Sequence, residues 1–155
     1  MTTLTIELPD EAATARLAAR LAARAVARDT IALQGPLGSG KTSFARSFIR
    51  ALGRGDEEVP SPTFTLVETY AFPGRPPVWH FDLYRLERAD DVYELGIEDA
   101  FADGIALIEW PERIASLLPR ERLDIALAPG RSETARIATL SPSPRWRDRI
   151  GDLDD

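Results

Sequence analysis

The sequence contains no cysteine, one histidine and one lysine. The absence of cysteine excludes disulfides and thiolate metal sites, and nothing points to an oxidising compartment. A lone histidine, His80, excludes a multi-histidine metal centre and leaves little basis for a Ser-His-Asp hydrolase. No apolar run approaches the roughly 20 residues of a membrane-spanning helix. The N-terminal MTTLTIELPDE has no basic segment followed by an apolar one, so a signal peptide is not expected and cytoplasm is the default. Positive charge is also in deficit. A net charge of −6 argues against stand-alone binding to nucleic acid, which usually needs a basic face. Contact with RNA through a partner stays open.

What is present fits one soluble domain. The 155 residues are enough to bury a core, and apolar content is ordinary at 44%, with charge well spread. LTIEL (4–8) alternates like a short strand, and Asp10 stands as an N-cap before a helix over residues 12–28, rich in alanine and leucine. Arg16, Arg20, Arg24 and Arg28 recur at four-residue spacing, either as a solvated stripe or as a docking face for an acidic partner or RNA. TIALQ (30–34) has the pattern of a buried strand, and a second helix is predicted over 42–52, ended by Gly53. Residues 64–72 and 78–83 read as strands joined by a turn at PGRPP; residues 90–102 as a short helix or two, broken near Gly96. IALIE (105–109) is a further buried strand, Pro111 opens another helix, and 123–127 and 134–140 close as strands. Early alternation and later pairing predict an α/β layer fold with a mixed sheet, one domain over 1–142, and a tail over 143–155 that frays.

Gly35-x4-Gly40-Lys41-Thr42 completes G-x-x-x-x-G-K-[ST] between a strand-like run and a helix-like one. The chemistry accounts for each position. Glycine lets the main chain approach an anion closely, and successive N–H groups at a helix N-terminus form a concave anion nest. Lys41 would reach the β- and γ-phosphates, and the Thr42 hydroxyl would join a Mg²⁺ shell. The other eighteen basic side chains are arginine. Only a compact ammonium on a thin stem fits inside a loop wrapped around a phosphate, which explains the single exception. Common GTPases recognise guanine through Asn-Lys-x-Asp. With the only lysine engaged, that motif is impossible here, and ATP is favoured by elimination.

Such a site needs an acidic residue at a strand end to hold Mg²⁺ or its waters. Asp82 ends VWHFD and Glu109 ends IALIE, and local pattern does not choose between them. Alternation along a strand places His80, Asp82 and Tyr84 on one face, opposite Phe81 and Leu83. That face is either a functional cluster or a structural hydrogen-bond network. Pro60-Ser61-Pro62-Thr63 is stiff, either a rigid turn or a switch-like loop aiming the Ser61 or Thr63 hydroxyl at the γ-phosphate or metal. Trp110 is either core or a wall of the site.

In this order and spacing, GPLGSGKTSF, VPSPTFTLVETY, HFDLYRL, ELGIEDAF and IEWPERI resemble the TsaE (formerly YjeE) family over about residues 4–140. Many families share the phosphate loop; the SPTF, H-x-D-x-Y-R and E-W-P segments together are far more specific. The resemblance implies a P-loop NTPase-like three-layer fold with a mixed central sheet. It implies a Mg²⁺-dependent ATPase, with ATP as substrate, in the bacterial tRNA threonylcarbamoyladenosine pathway. The partners implied are TsaD and TsaB, which modify the adenosine beside the anticodon of ANN-decoding tRNAs. The family supports or resets that complex, and tRNA contact is expected to be indirect. Residue by residue, Gly38, Ser39, Gly40, Lys41, Thr42 and Ser43 would bind phosphates, and Thr42 and Glu109 would hold Mg²⁺. Lys41, Asp82 and Glu109 would serve hydrolysis, and Thr63, with Ser61, would sit in the switch-like loop. Glu11 would line the nucleotide pocket, as would Arg131, in a segment that is longer here. The rival classes are a small-metabolite kinase, which should carry an arginine-bearing lid, and a nucleotide-gated binding module without catalysis.

Overall fold

The computed structural model describes residues 3–55 and 57–153. Seven strands form one mixed sheet: β1 (Leu4–Leu8), β2 (Thr30–Gln34), β3 (Val67–Tyr70), β4 (Val78–Asp82), β5 (Ile105–Glu109), β6 (Leu123–Pro129) and β7 (Arg136–Pro142). Their spatial order is β1-β7-β6-β2-β5-β4-β3. The central pairs β2–β5, β2–β6 and β4–β5 are parallel, and the outer pairs β1–β7, β6–β7 and β3–β4 are antiparallel. The central strands β2 and β5 are apolar runs buried along almost their whole length, as parallel strands covered on both faces are.

Alternation along each strand splits the core in two. Ile105 and Leu107 of β5 pack with Leu17 and Leu21 of α1 (Glu11–Arg24) and Phe44 and Phe48 of α2 (Lys41–Leu52). Ala106 and Ile108 face the other way, toward Phe81, Ile97 of α3 (Ile97–Asp103) and Ile114. Val78 joins the first cluster and Phe81 the second, so His80 and Asp82 share the α2 face by period two.

The chain departs from several expectations. Helix α1 stops at Arg24, and Arg28 lies outside it with φ 73°, so the arginine stripe is shorter than its spacing suggested. The turn that ends it is held by Asp29, whose Oδ2 accepts the Val26 N–H at 2.6 Å. Residues 64–66 do not join β3; Leu66 has φ 68°, and its N–H is donated to Pro62 O at 2.7 Å, curling the chain into a turn. Residues Pro111–Leu117 form 3₁₀ turns interrupted at Ile114 rather than an α-helix.

The predicted fraying of 143–155 is also corrected. Helix α4 (Pro144–Ile150) buries Trp146 in the first core. Arg145 Nε and Arg149 Nη1 reach the buried Asp29 carboxylate at 2.8 and 2.7 Å. Arg20 donates to Leu153 O and Asp152 O at 3.1 and 3.0 Å, and Arg24 to Asp152 Oδ2 at 3.1 Å. Part of the arginine stripe is thus occupied by this chain's own acidic C-terminal segment. The last two residues of that segment lie outside the described residues.

Candidate functional site

The site sits where β2 hands over to α2, at the C-terminal ends of the parallel strands, the usual position for a ligand in an open α/β sheet. Gly40 caps α2 with φ 98°, a left-handed conformation that side chains resist. At Gly35 a Cβ would come within 2.5 Å of both Leu127 O and Ser39 Oγ, so no other residue fits without displacing the loop. Helix α2 begins at Lys41, and the first-turn amides of any helix lack intrahelical acceptors. They open onto a cleft of about 300 Å³ whose walls include Lys41, Thr42, Thr63, Asp82, Glu109 and Trp110.

The loop is closed on itself. The Lys41 ammonium donates to Gly35 O and, at 3.1 Å, to Pro36 O, and lies 3.9 Å from the Trp110 ring centroid. Burial pushes its pKa down, against the opposing pull of Glu109, Glu112 and Asp82. A polyanion entering the cleft would relieve the same desolvation. Trp110 takes φ 59° and meets Tyr84 in a tilted ring contact with centroids 4.8 Å apart, so it packs against the second core on one side and walls the cleft on the other.

The parallel pairing of β4 with β5 sets Asp82 opposite Glu109. The two carboxylates have different surroundings. Glu109 Oε1 accepts the Thr42 hydroxyl at 2.9 Å, and its Oε2 lies 2.7 Å from His80 Nε2. Asp82 Oδ1 accepts the Tyr84 N–H at 3.1 Å, and its Oδ2 accepts the Thr63 hydroxyl at 3.3 Å. Burial raises the Asp82 pKa above the ordinary aspartate value, with Glu109 adding to the rise, against the hydrogen bonds of Tyr84 and Thr63 and the pull of His80. Ser61 does not line the cleft; it stands behind Thr63, with their hydroxyls 2.7 Å apart.

The donor set suits Mg²⁺. Among the described residues no group of three or more acidic, histidine or cysteine side chains forms an all-protein metal cage. Mg²⁺ does not require one, since it keeps several waters and binds one or two carboxylates with substrate phosphates. Thr42 and Glu109, already in contact, would hold it. Ser39 Oγ is buried without a hydrogen-bond partner among the described residues, which fits a loop shaped to receive an anion.

A second cavity of about 470 Å³ adjoins the cleft, sharing Gly40, Ser43 and Arg136 with it and adding Glu11, Arg46 and Arg50. Glu11 is therefore next to the phosphate loop, where a nucleoside would extend. Arg131 lines a third cavity, with Glu7 and Pro9, which meets the other two only at Arg136. The arginine at the loop is Arg136, which donates to Ser39 O at 2.8 Å and Gly38 O at 3.1 Å. Sequence reasoning missed it because only the β6–β7 register, which pairs Arg136 with Pro129, carries it there; the resemblance had suggested Arg131 instead.

A model of the family described as "Threonylcarbamoyl adenosine biosynthesis protein TsaE" matches residues 8–137. The tRNA threonylcarbamoyladenosine biosynthesis protein TsaE of Haemophilus influenzae is 38% identical over 125 residues, covering 77% of this chain and 78% of that protein. Its Rickettsia felis namesake is 38% identical over 120 residues, covering 77% and 70%. The crystal structure of Bacillus subtilis YdiB superposes with a TM-score of 0.77 at 28% identity, covering 98% of this chain and 94% of that one.

Proposed function

The chain belongs to the TsaE family, and from that premise we propose that it binds ATP at the β2–α2 loop and hydrolyses it slowly in support of a TsaD–TsaB complex that installs threonylcarbamoyladenosine in tRNA. The observation that carries this reading is the contact of Thr42, from the phosphate loop, with Glu109, from the neighbouring strand. It joins the two halves of a Mg²⁺–triphosphate site.

The loop amides and Lys41 would hold the phosphates, with Lys41 leaving its own loop carbonyls to do so. Mg²⁺, held by Thr42 and Glu109, would supply neutralisation of the triphosphate charge. Asp82 stands beside Glu109 with Thr63 fixing one of its oxygens, and it would align the attacking water and take up its proton. Glu11, Arg46 and Arg50 would line the nucleoside end.

Turnover of the isolated chain should be slow. Arg136 already donates to the carbonyls of Gly38, Ser39, Glu133 and Ala135, so we assign it to holding the loop and not to the part of an arginine finger. A missing arginine finger typically forfeits ~10³–10⁵ in rate, and a partner would complete the site. The test is phosphate release by the purified chain with and without TsaD and TsaB. Slow release that accelerates with the partners is expected. Fast, partner-independent release, or phosphate appearing on a metabolite, would contradict the proposal.

A further inference from the structure

We infer that His80 is the positioning residue of the site: its imidazole donates from Nε2 to Glu109 and thereby holds the opposite carboxylate oxygen against Thr42. This rests on the nucleotide-site reading above.

The His80 side chain is 0% exposed, and its only hydrogen bond among the described residues runs from Nε2 to Glu109 Oε2 at 2.7 Å. Nδ1 is buried and has no partner. An ionised carboxylate only accepts, so the proton of this bond belongs to Nε2. Nδ1 is then a bare lone pair, which is less costly to bury unpaired than an N–H.

A side chain serving only to fill space here needs no polar atom, as Val78 and Leu107 on the same face show. The register explains what the imidazole achieves. His80 pairs with Leu107, one strand repeat before the Asp82–Glu109 pair, on the same face. It braces Glu109 from the buried side. With Oε2 held, Oε1 can only present itself to Thr42, which it meets at 2.9 Å. A free glutamate would lose this alignment to its own rotamers, and outer partners of ligating carboxylates typically account for ~10–100-fold in metal affinity or activity.

Two experiments test the assignment. In the first, ADP affinity is measured by calorimetry with and without Mg²⁺ for the wild type, His80→Leu and His80→Gln, with thermal melts as a check on folding. His80→Leu should bind ADP normally in EDTA but require ~10–100-fold more Mg²⁺ for the metal-dependent gain, and His80→Gln, which keeps a donor, should recover most of it. An unchanged Mg²⁺ requirement in folded His80→Leu would overturn the inference while leaving the nucleotide site intact; a wild type that binds no ADP at all would instead overturn the site. The second experiment needs no substitution at His80. The sole histidine gives one set of ring ¹⁵N resonances, which should report a protonated Nε2 and a bare Nδ1, with the Nε2–H resonance moving in Glu109→Gln. A proton on Nδ1, or an Nε2–H resonance indifferent to Glu109→Gln, would contradict the assignment even if His80→Leu failed to fold.

Discussion

The Lys41 ammonium rests on the face of the Trp110 indole, 3.9 Å from its centroid, while donating to the carbonyls of Gly35 and Pro36. The cation is thus parked on its own loop, and a triphosphate must draw it away from the ring. A cation–π contact of this kind is worth about 0.5–2 kcal/mol, small beside the charge pairing that replaces it. Tryptophan emission should therefore change on adding ATP or ADP. Trp110→Phe should abolish most of the change, since neither Trp79 nor Trp146 lines the cleft. Stopped-flow fluorescence checks this, and a full response in Trp110→Phe would contradict it.

Asp82 gives a pH prediction. Its pKa is raised chiefly by burial, and a water-orienting carboxylate works in its ionised form. The acid limb of the rate of ATP hydrolysis should therefore lie above the ordinary aspartate range, with rate lost as pH falls through it. Asp82→Asn should lower the rate ~10²–10⁴-fold, the usual contribution of general acid–base catalysis, and remove that limb while nucleotide binding persists.

Arg136 and Arg131 separate by substitution. Arg136→Ala removes the donors that hold the carbonyls of Gly38 and Ser39, and charge-assisted hydrogen bonds contribute about 1.5–3 kcal/mol. Nucleotide affinity should fall ~10-fold or more by calorimetry. Arg131→Ala, in the third cavity, should leave it within ~2-fold, because surface changes are usually worth under about 0.5 kcal/mol.

The C-terminal helix is a stability element. Burial by itself would raise the Asp29 pKa, but hydrogen bonds from Arg149, the Val26 N–H and Arg145 together hold it below the ordinary value. A depressed folded-state pKa stabilises above the unfolded value, and the contribution is lost as pH falls through the folded one. Asp29→Ala should cost about 3–5 kcal/mol by urea unfolding, as a broken buried ion pair does. The deficit relative to wild type should shrink in acid.

Much of this molecule was legible before its structure. Strands β2 and β5 match TIALQ and IALIE residue for residue, because buried parallel strands are continuous apolar runs with sharp ends. The phosphate loop and the strand-end acids were legible because their chemistry demands fixed spacings. Contacts between distant segments were not. Arg136 reaches the loop through hairpin register, α4 is folded through its pairing with Asp29, and the partners of His80 and Asp82 depend on which strand lies beside β4. The early stop of α1 was also invisible, since alanine and arginine favour helix through residue 28 and a buried aspartate overrides them.

The most direct measurement is calorimetric titration of the purified chain with ATP and ADP in the presence of Mg²⁺. Saturable binding of one nucleotide per chain is expected for the wild type, with the affinity lost in Lys41→Ala although that variant remains folded. No uptake by folded wild-type protein, alone or with TsaD and TsaB, would contradict the account.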